Sequence, residues 1–177
     1  LNQRMADGGF NCRSNRSGAR IASVHSTTSV IDGLTEYECR GYAYRSGDVR
    51  SAINAAAESL LARRLYQRRS SHEPISAEFT RLHQPSRWHF DVLRGLEVLR
   101  AAQIPWDPRL EEALSVIESR RRHDGRWAAT SQYPGQTHVT YPPAGSPNRW
   151  VTLRALRVLR HYRQTSEVRN LTSPVGP

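Results

Sequence analysis

Residues 85–100 read PSRWHFDVLRGLEVLR, and residues 147–160 read PNRWVTLRALRVLR. Both stretches begin with proline, a polar residue, arginine and tryptophan, and both continue into a run whose aliphatic residues recur every three or four positions. That spacing places the aliphatic side chains on one face of a helix. The two stretches lie about 60 residues apart, which indicates that the chain repeats a helical unit.

A second repeated motif marks the end of the unit. Residues 4–10, RMADGGF, match residues 121–127, RRHDGRW, in the pattern Arg-x-x-Asp-Gly-x-aromatic. Glycine can adopt the positive φ that ends a helix, and aspartate can accept from nearby main-chain N–H groups. We therefore expect Phe10 and Trp127 to be buried equivalents that pack back against the helices. The unit between them is expected to have lost its Asp-Gly turn near residues 68–72.

Five helices are predicted from the periodicity of apolar residues, and no segment alternates convincingly as a strand beyond a brief pairing at 137–141. The predicted helices span about residues 25–39, 48–68, 87–102, 108–121 and 149–163. The apolar face of the fifth helix is expected to contain Leu153, Leu156, Leu159 and Tyr162. The chain is therefore predicted to be all-α.

Short polar residues before these helices predict their N-caps. A hydroxyl, amide or carboxylate at the N-cap accepts from the free N–H groups of the first turn. The predicted caps are Ser26, Ser86, Asn148 and Asp107, the last followed by proline in the first helical position. Capping by Ser86 and Asn148 would place Trp88 and Trp150 in the first turns of two equivalent helices.

Composition restricts the class of protein. A chain of 177 residues is expected to form one domain. All 26 of its basic residues are arginine, which codon bias in a GC-rich genome explains, and the formal net charge is +10. No apolar run is long enough for a transmembrane helix. No apolar segment of a signal peptide follows Leu1. The sequence also lacks an initiator methionine, so we expect a fragment, a processed form or the C-terminal part of a longer protein. Cys12 and Cys39 form no metal or redox pattern, and whether they pair stays open.

The repeated Asp-Gly-x-aromatic turns resemble those of the squalene cyclase and protein prenyltransferase repeat superfamily, most of all bacterial squalene-cyclase-like proteins of unknown activity. The resemblance spans residues 4–163. It implies a partial α/α toroid, in which the first, third and fifth helices form an inner layer and the second and fourth an outer layer. The repeat domain would occupy residues 1–164, and residues 165–177 would form a flexible tail.

The catalytic motifs of that superfamily are not present in the sequence. The aspartates are too far apart to form the Asp-x-Asp-Asp acid of class II cyclases or the Asp-Asp-x-x-Asp metal site of class I enzymes. His25 stands in the stretch where prenyltransferases carry a zinc-binding Asp-x-Cys. We therefore expect no metal and no cofactor, and whether the chain is an enzyme stays open.

Candidate site residues follow from the expected placement of helix starts. If the inner helices begin on one side of the ring, their first turns share a rim. Helix N-termini and arginines favour anions, and aromatic rings can line an apolar cleft or stabilise a cation. The predicted ligand-binding residues are Arg87, Trp88, Arg149 and Trp150, and the candidate proton-transfer residues are His89, Asp91 and His25. Each of them has a structural alternative: the tryptophans as core anchors, the arginines as braces, and His89 with Asp91 as a polar pair or cap.

Three functions remain open at this point. The first is binding of an isoprenoid or another apolar ligand, and the second is a noncatalytic scaffold for protein–protein interaction. The third is nucleic-acid binding through the stripe of Arg154, Arg157, Arg160 and Arg163, which is the weakest because no nucleic-acid-binding motif accompanies it. An open arc would also need a partner subunit, a missing N-terminal region or self-association to cover its ends. We expect a cytoplasmic protein, with a peripheral position at a membrane surface as the alternative.

Overall fold

Helices joined by loops make up the part of the chain that the structure, a computed structural model, describes: residues 1–130, 135 and 138–172, with side chains through residue 163. The helices are α1 (Ser14–Ser17), α2 (Val24–Cys39), α3 (Ser46–Leu61), α4 (Val92–Ala101), α5 (Glu111–Ser119) and α6 (Arg149–Thr172). Two 3-10 turns span Ala77–Thr80 and Pro108–Leu110. Within the described residues only two isolated β-bridges occur and no strand, so the all-α prediction is confirmed.

Three of the helices, α2, α4 and α6, pack against one another in chain order. α4 contacts α2 on one flank and α6 on the other, while α3 packs against α2 and α5 packs against α4. We call α2, α4 and α6 the row helices, and α3 and α5 the covering helices. The curvature of a toroid remains a prediction.

The two Asp-Gly turns have the same hydrogen bonds. In the second, the N–H of Arg122 donates to the carbonyl of Arg126, and the N–H of Gly125 donates to that of Arg122, both at 2.9 Å. Gly125 has a φ of +77°, and Gly8, with a φ of +86°, holds the same place in a turn closed by the matching pair of bonds. The repeat read from the sequence is therefore a repeat of backbone geometry.

A threonine binds the aromatic residue of each Asp-Gly turn to the row helix that follows. The hydroxyl of Thr27 accepts from the N–H of Phe10 at 3.0 Å and lies 3.2 Å from its carbonyl oxygen, to which it donates. Thr152 makes the same two bonds to Trp127 at 3.0 and 3.3 Å. Both aromatic side chains are buried, as the sequence predicted.

The middle unit keeps a turn without Asp-Gly. The N–H of Arg68 donates to the carbonyl of Glu73, and that of His72 donates to the carbonyl of Arg68. His72 has a φ of +57° and so adopts the left-handed conformation that glycine adopts in the other two turns. The middle unit therefore lacks the Asp-Gly residues but keeps the turn, which the sequence had predicted to be lost.

Ion pairs between successive row helices fix the register of the repeat. Asp32 of α2 lies 3.8 Å from Arg94 of α4, and Glu97 of α4 lies 2.7 Å from Arg154 of α6. Arg94 and Arg154 are sixty residues apart, which is the spacing of the repeated helical motif. Asp32 and Glu97 are likewise equivalent, because each pairs with the arginine of the next row helix. Leu93 of α4 therefore corresponds to residue 153 of α6.

The start of α4 differs from the prediction. The helix begins at Val92, not near residue 87, because Arg87 has a φ of +50° that no right-handed helix accommodates. Its N-cap is Asp91, whose carboxylate accepts from the N–H of Arg94. Ser86 is therefore not the cap, and Trp88 lies before the helix.

The ends of α2 and α3 also differ from the prediction. α2 is preceded by Ser23 rather than capped by Ser26, whose hydroxyl instead accepts from the N–H of Cys12. α3 ends at Leu61, seven residues early, since the following Arg64 and Leu65 both have positive φ. The caps at Asp107 and Asn148 are confirmed: the side-chain oxygen of each accepts main-chain N–H groups of the next turn.

The predicted face of the last helix is half right. Val151, Ala155, Val158 and Tyr162 are buried against the rest of the protein, but Leu153 and Leu156 are exposed. α6 continues to Thr172, so the predicted tail, 165–177, begins inside this helix, and residues 173–177 lie outside the described residues. The brief pairing suggested at 137–141 includes a position outside them, and residues 138–141 contain no strand.

Candidate functional site

The structure places the predicted rim residues in separate parts of the molecule. His25, Trp88 and His89 form one aromatic cluster, and Arg87 lines a separate polar pocket. On α6, the guanidinium of Arg149 lies 5.3 Å from the ring centre of Trp150. The division arises because α4 starts late, so the loop before it carries residues 87–89 away from helical geometry.

An elongated cleft of about 890 Å³ lies beside the first half of α2. Its lining includes Phe10, Cys12, Arg13, His25, Val30 and Trp88. Trp88 is 63% exposed and so is not the core anchor that the structural alternative predicted. Most of the accessible wall is formed by nonpolar atoms, although eight of the lining residues are serine, asparagine, glutamine or arginine.

A second cavity, of about 740 Å³, shares two lining residues with the cleft, Ser23 and His25. Its lining includes Ile75 and Phe79 and four arginines, namely Arg20, Arg63, Arg68 and Arg69. Arg63 lies 3.5 Å from the carboxylate of Asp7. Among the described residues, the guanidinium groups of the other three arginines form no ion pair, so this cavity presents uncompensated positive charge.

His25 stands between the two cavities in a fixed orientation. Its Nδ1 lies 2.9 Å from the main-chain N of Phe90 and accepts from it, so the neutral ring carries its proton on Nε2. Burial, followed by the positive charges of His89 and Arg94, lowers the pKa of His25 below its usual value. The ring packs edge-on against Phe79, with centroids 5.2 Å apart. His25 is therefore a neutral hydrogen-bond donor near pH 7 rather than a strong acid.

Trp88 and His89 form a stacked pair with ring centroids 3.8 Å apart. Burial, and secondarily the charge of Arg87, lowers the pKa of His89. Because a lowered pKa keeps the imidazole neutral, its ring can stack on the indole without desolvating a charge.

Asp91 is fully buried and accepts from main-chain groups through both carboxylate oxygens. Oδ1 accepts from the N–H of Arg94 at 2.8 Å, and Oδ2 accepts from the N–H of His83 at 3.0 Å. These bonds hold the loop before α4 against the start of the helix. The carboxylate therefore caps α4, which is the structural alternative that the sequence offered for Asp91.

The pocket that contains Arg87 is polar, and its volume is about 470 Å³. Arg94 donates to the carbonyl of Arg87, and Arg154 donates to the carbonyl of His83 at 3.1 Å. Arg94 also pairs with the carboxylate of Asp32, and Arg154 also pairs with that of Glu97. The sequence pattern did not predict that Arg94 holds the loop before α4, although Arg94 and Arg154 occupy equivalent positions in the repeated helical motif.

The described residues contain no group of three or more His, Cys, Asp or Glu placed to hold a metal ion. Cys12 and Cys39 are both free and exposed. Within the same residues, no helix combines the length and the apolar character needed to cross a membrane.

Fold and cavities together define a helical repeat protein in which a cleft and an arginine-lined cavity share Ser23 and His25. The chain was compared with protein-family models, curated proteins and solved structures, and none of them matches it.

Proposed function

We propose that the chain is a squalene-cyclase-like or prenyltransferase-like helical repeat domain that binds an elongated apolar ligand with an anionic head, such as an isoprenoid diphosphate. The observation that carries the proposal is that the cleft and the arginine-lined cavity share two lining residues, Ser23 and His25. The tail would lie along Phe10, Val30 and Trp88, where apolar surface is removed from water.

The head would lie in the second cavity, near Arg68 and Arg69. Guanidinium groups recognise phosphate oxygens through paired hydrogen bonds. The neutral His25, which lines both cavities, would donate through Nε2 to the ligand. The sequence-based head site at Arg87 and Arg149 is the competing assignment within the same function.

Binding without turnover is the form of the proposal that the chemistry favours. A cyclase acid must carry a proton at working pH, but burial lowers the pKa of His25 and of His89. Asp91 accepts main-chain hydrogen bonds through both oxygens. These three candidates for proton transfer are therefore better suited to holding the site together.

The test is a calorimetric titration of the protein with farnesyl diphosphate, geranylgeranyl diphosphate and a neutral triterpene. We expect the diphosphates to bind at micromolar concentration, Trp88→Ala to weaken every ligand, and Arg68→Ala/Arg69→Ala to weaken only the diphosphates. The matched control is Arg87→Ala/Arg149→Ala, which removes the same number of charges from the competing site.

Equal weakening by both double variants would point to a general charge effect and reject the head site. If no ligand binds below about millimolar, a range typical of nonspecific contacts, the ligand-binding function is rejected. The alternative, a noncatalytic scaffold, is favoured by the exposed apolar side chains of α6.

A further inference from the structure

Three large apolar side chains stand on one exposed side of α6. Trp150, Leu153 and Leu156 are 42%, 43% and 45% exposed, and their spacing of three residues aligns them along the helix. We call these three residues the α6 stripe. Contiguous exposed apolar surface is uncommon on monomeric proteins and marks sites of interaction.

The same positions are buried on the other two row helices. In the register set by the ion pairs, Leu153 and Leu156 correspond to Leu93 and Leu96 of α4, which are fully buried. On α2 the corresponding residues are Thr28 and Ile31, which are buried as well. The stripe is therefore a face of the repeat that is normally covered.

What covers this face on α2 and α4 can be read from the packing of the units. Asp32, one turn after Thr28, pairs with Arg94 of α4, and Glu97, one turn after Leu93, pairs with Arg154 of α6. This face of α2 and α4 is therefore turned toward the next row helix, and among the described residues no row helix follows α6. We propose that the α6 stripe is the docking site of an amphipathic helix, which would hold the position on α6 that α4 holds on α2 and that α6 holds on α4. The proposal does not depend on the ligand of the cleft.

The charge beside the stripe specifies the chemistry of the partner helix. Asp32 and Glu97 offer carboxylates to the next row helix, but the equivalent residue of α6 is Arg157, which is exposed. Arg149 and Arg160, also exposed, lie along the same side. The partner helix should therefore carry an aliphatic face flanked by carboxylates.

A second copy of the chain fits this face less well. Two α6 stripes placed against each other would bring arginines such as Arg157 and Arg160 together, and like charges across an interface are unfavourable. By contrast, α5 already combines Leu114 and Ile117 with Glu111 and Glu118, and those two glutamates bind Arg163 of α6.

The probe is a labelled peptide with the sequence of residues 106–120, WDPRLEEALSVIESR. A covalent cross-link replaces its two outward-facing serines, Ser115 and Ser119, so that the peptide is helical in isolation. Its binding to the whole chain is measured by fluorescence anisotropy. We expect a dissociation constant below about 100 μM, weakened about tenfold or more by Leu153→Asn/Leu156→Asn, because a few central apolar residues supply most of the binding energy of such sites.

The charge requirement is tested by exchange. Arg157→Glu should weaken the peptide, and a peptide with its three glutamates replaced by lysine should bind Arg157→Glu more tightly than the wild type. The control Ile21→Asn/Tyr44→Asn removes two exposed apolar side chains outside α6 and should leave binding unchanged.

Three results would overturn the proposal: no binding of the helical peptide at about millimolar concentration, binding that the stripe variants leave unchanged, or failure of the charge exchange. A fourth is a dimer, seen by sedimentation, that Leu153→Asn/Leu156→Asn dissociates. That result would assign the stripe to a second copy. Circular dichroism of each variant establishes that loss of binding is not loss of folding.

Discussion

The indole N–H of Trp127 donates to the main-chain carbonyl of Ile117 at 2.7 Å. The bond joins the residue after the second Asp-Gly turn to the last turn of α5, and the ring is completely buried. Trp127 thereby gives a second donor to a carbonyl at the end of α5 that also accepts from the N–H of Arg120 at 3.2 Å.

Trp127→Ala is expected to lower the free energy of unfolding by about 3–5 kcal/mol, since it removes a packed aromatic ring and leaves a cavity. Urea denaturation followed by circular dichroism measures the loss. Trp150→Ala is the matched control and should cost about 1 kcal/mol or less, because that ring is partly exposed. Equal losses in the two variants would contradict the structural role of Trp127.

Thr27→Val should destabilise the protein by about 1–3 kcal/mol, because valine has the shape of threonine but leaves the buried N–H of Phe10 without its acceptor. Thr152→Val should cost less, since Thr152 is only partly buried. Thermal unfolding of both variants is compared with that of Thr130→Val, whose side chain is exposed. A cost for Thr27→Val no larger than that of the control would show that the hydroxyl contributes nothing to the turn.

The ion pair of Glu97 and Arg154 should show a coupling free energy of about 1 kcal/mol in a double-mutant cycle with Glu97→Gln and Arg154→Met. Both side chains are mostly shielded from solvent, so the pair is less screened than one on the surface. The same cycle on Glu36 and Arg40, a pair exposed on α2, should give a smaller coupling. Couplings in the reverse order would contradict the register assigned to the row helices.

Stability should fall as the pH is lowered below about 6.5, the usual pKa of histidine. Burial lowers the pKa of His25 in the folded protein, so in this range the unfolded chain binds a proton that the folded protein does not. Burial also lowers the pKa of His83, His89 and His161, and these groups act in the same direction.

The measurement for His25 is the free energy of unfolding in urea at about pH 7.5 and about pH 5, compared between the wild type and His25→Phe. The variant should lose less stability over this interval, whatever its absolute stability. An undiminished pH dependence, or an NMR titration of His25 centred above the ordinary histidine value, would contradict the burial of the neutral ring.

Local sequence was sufficient to predict the helical class, the two Asp-Gly turns and the caps at Asp107 and Asn148. Each of these depends on interactions within a few residues: a positive φ at Gly125, or side-chain oxygens that accept from the next turn. The burial of Phe10 and Trp127 followed from their repeated position. None of these features requires knowledge of which helices are neighbours.

Only the tertiary structure decided where α4 begins and which residues share a cavity. Asp91 outcompetes Ser86 as the cap because its second oxygen also accepts from His83, in a loop brought close by the fold. That displacement places Trp88 beside His25 rather than near Trp150. The apolar pattern of α6 likewise could not reveal that Leu153 is exposed, because periodicity defines a helix face, whereas burial depends on whether another helix is there to cover it.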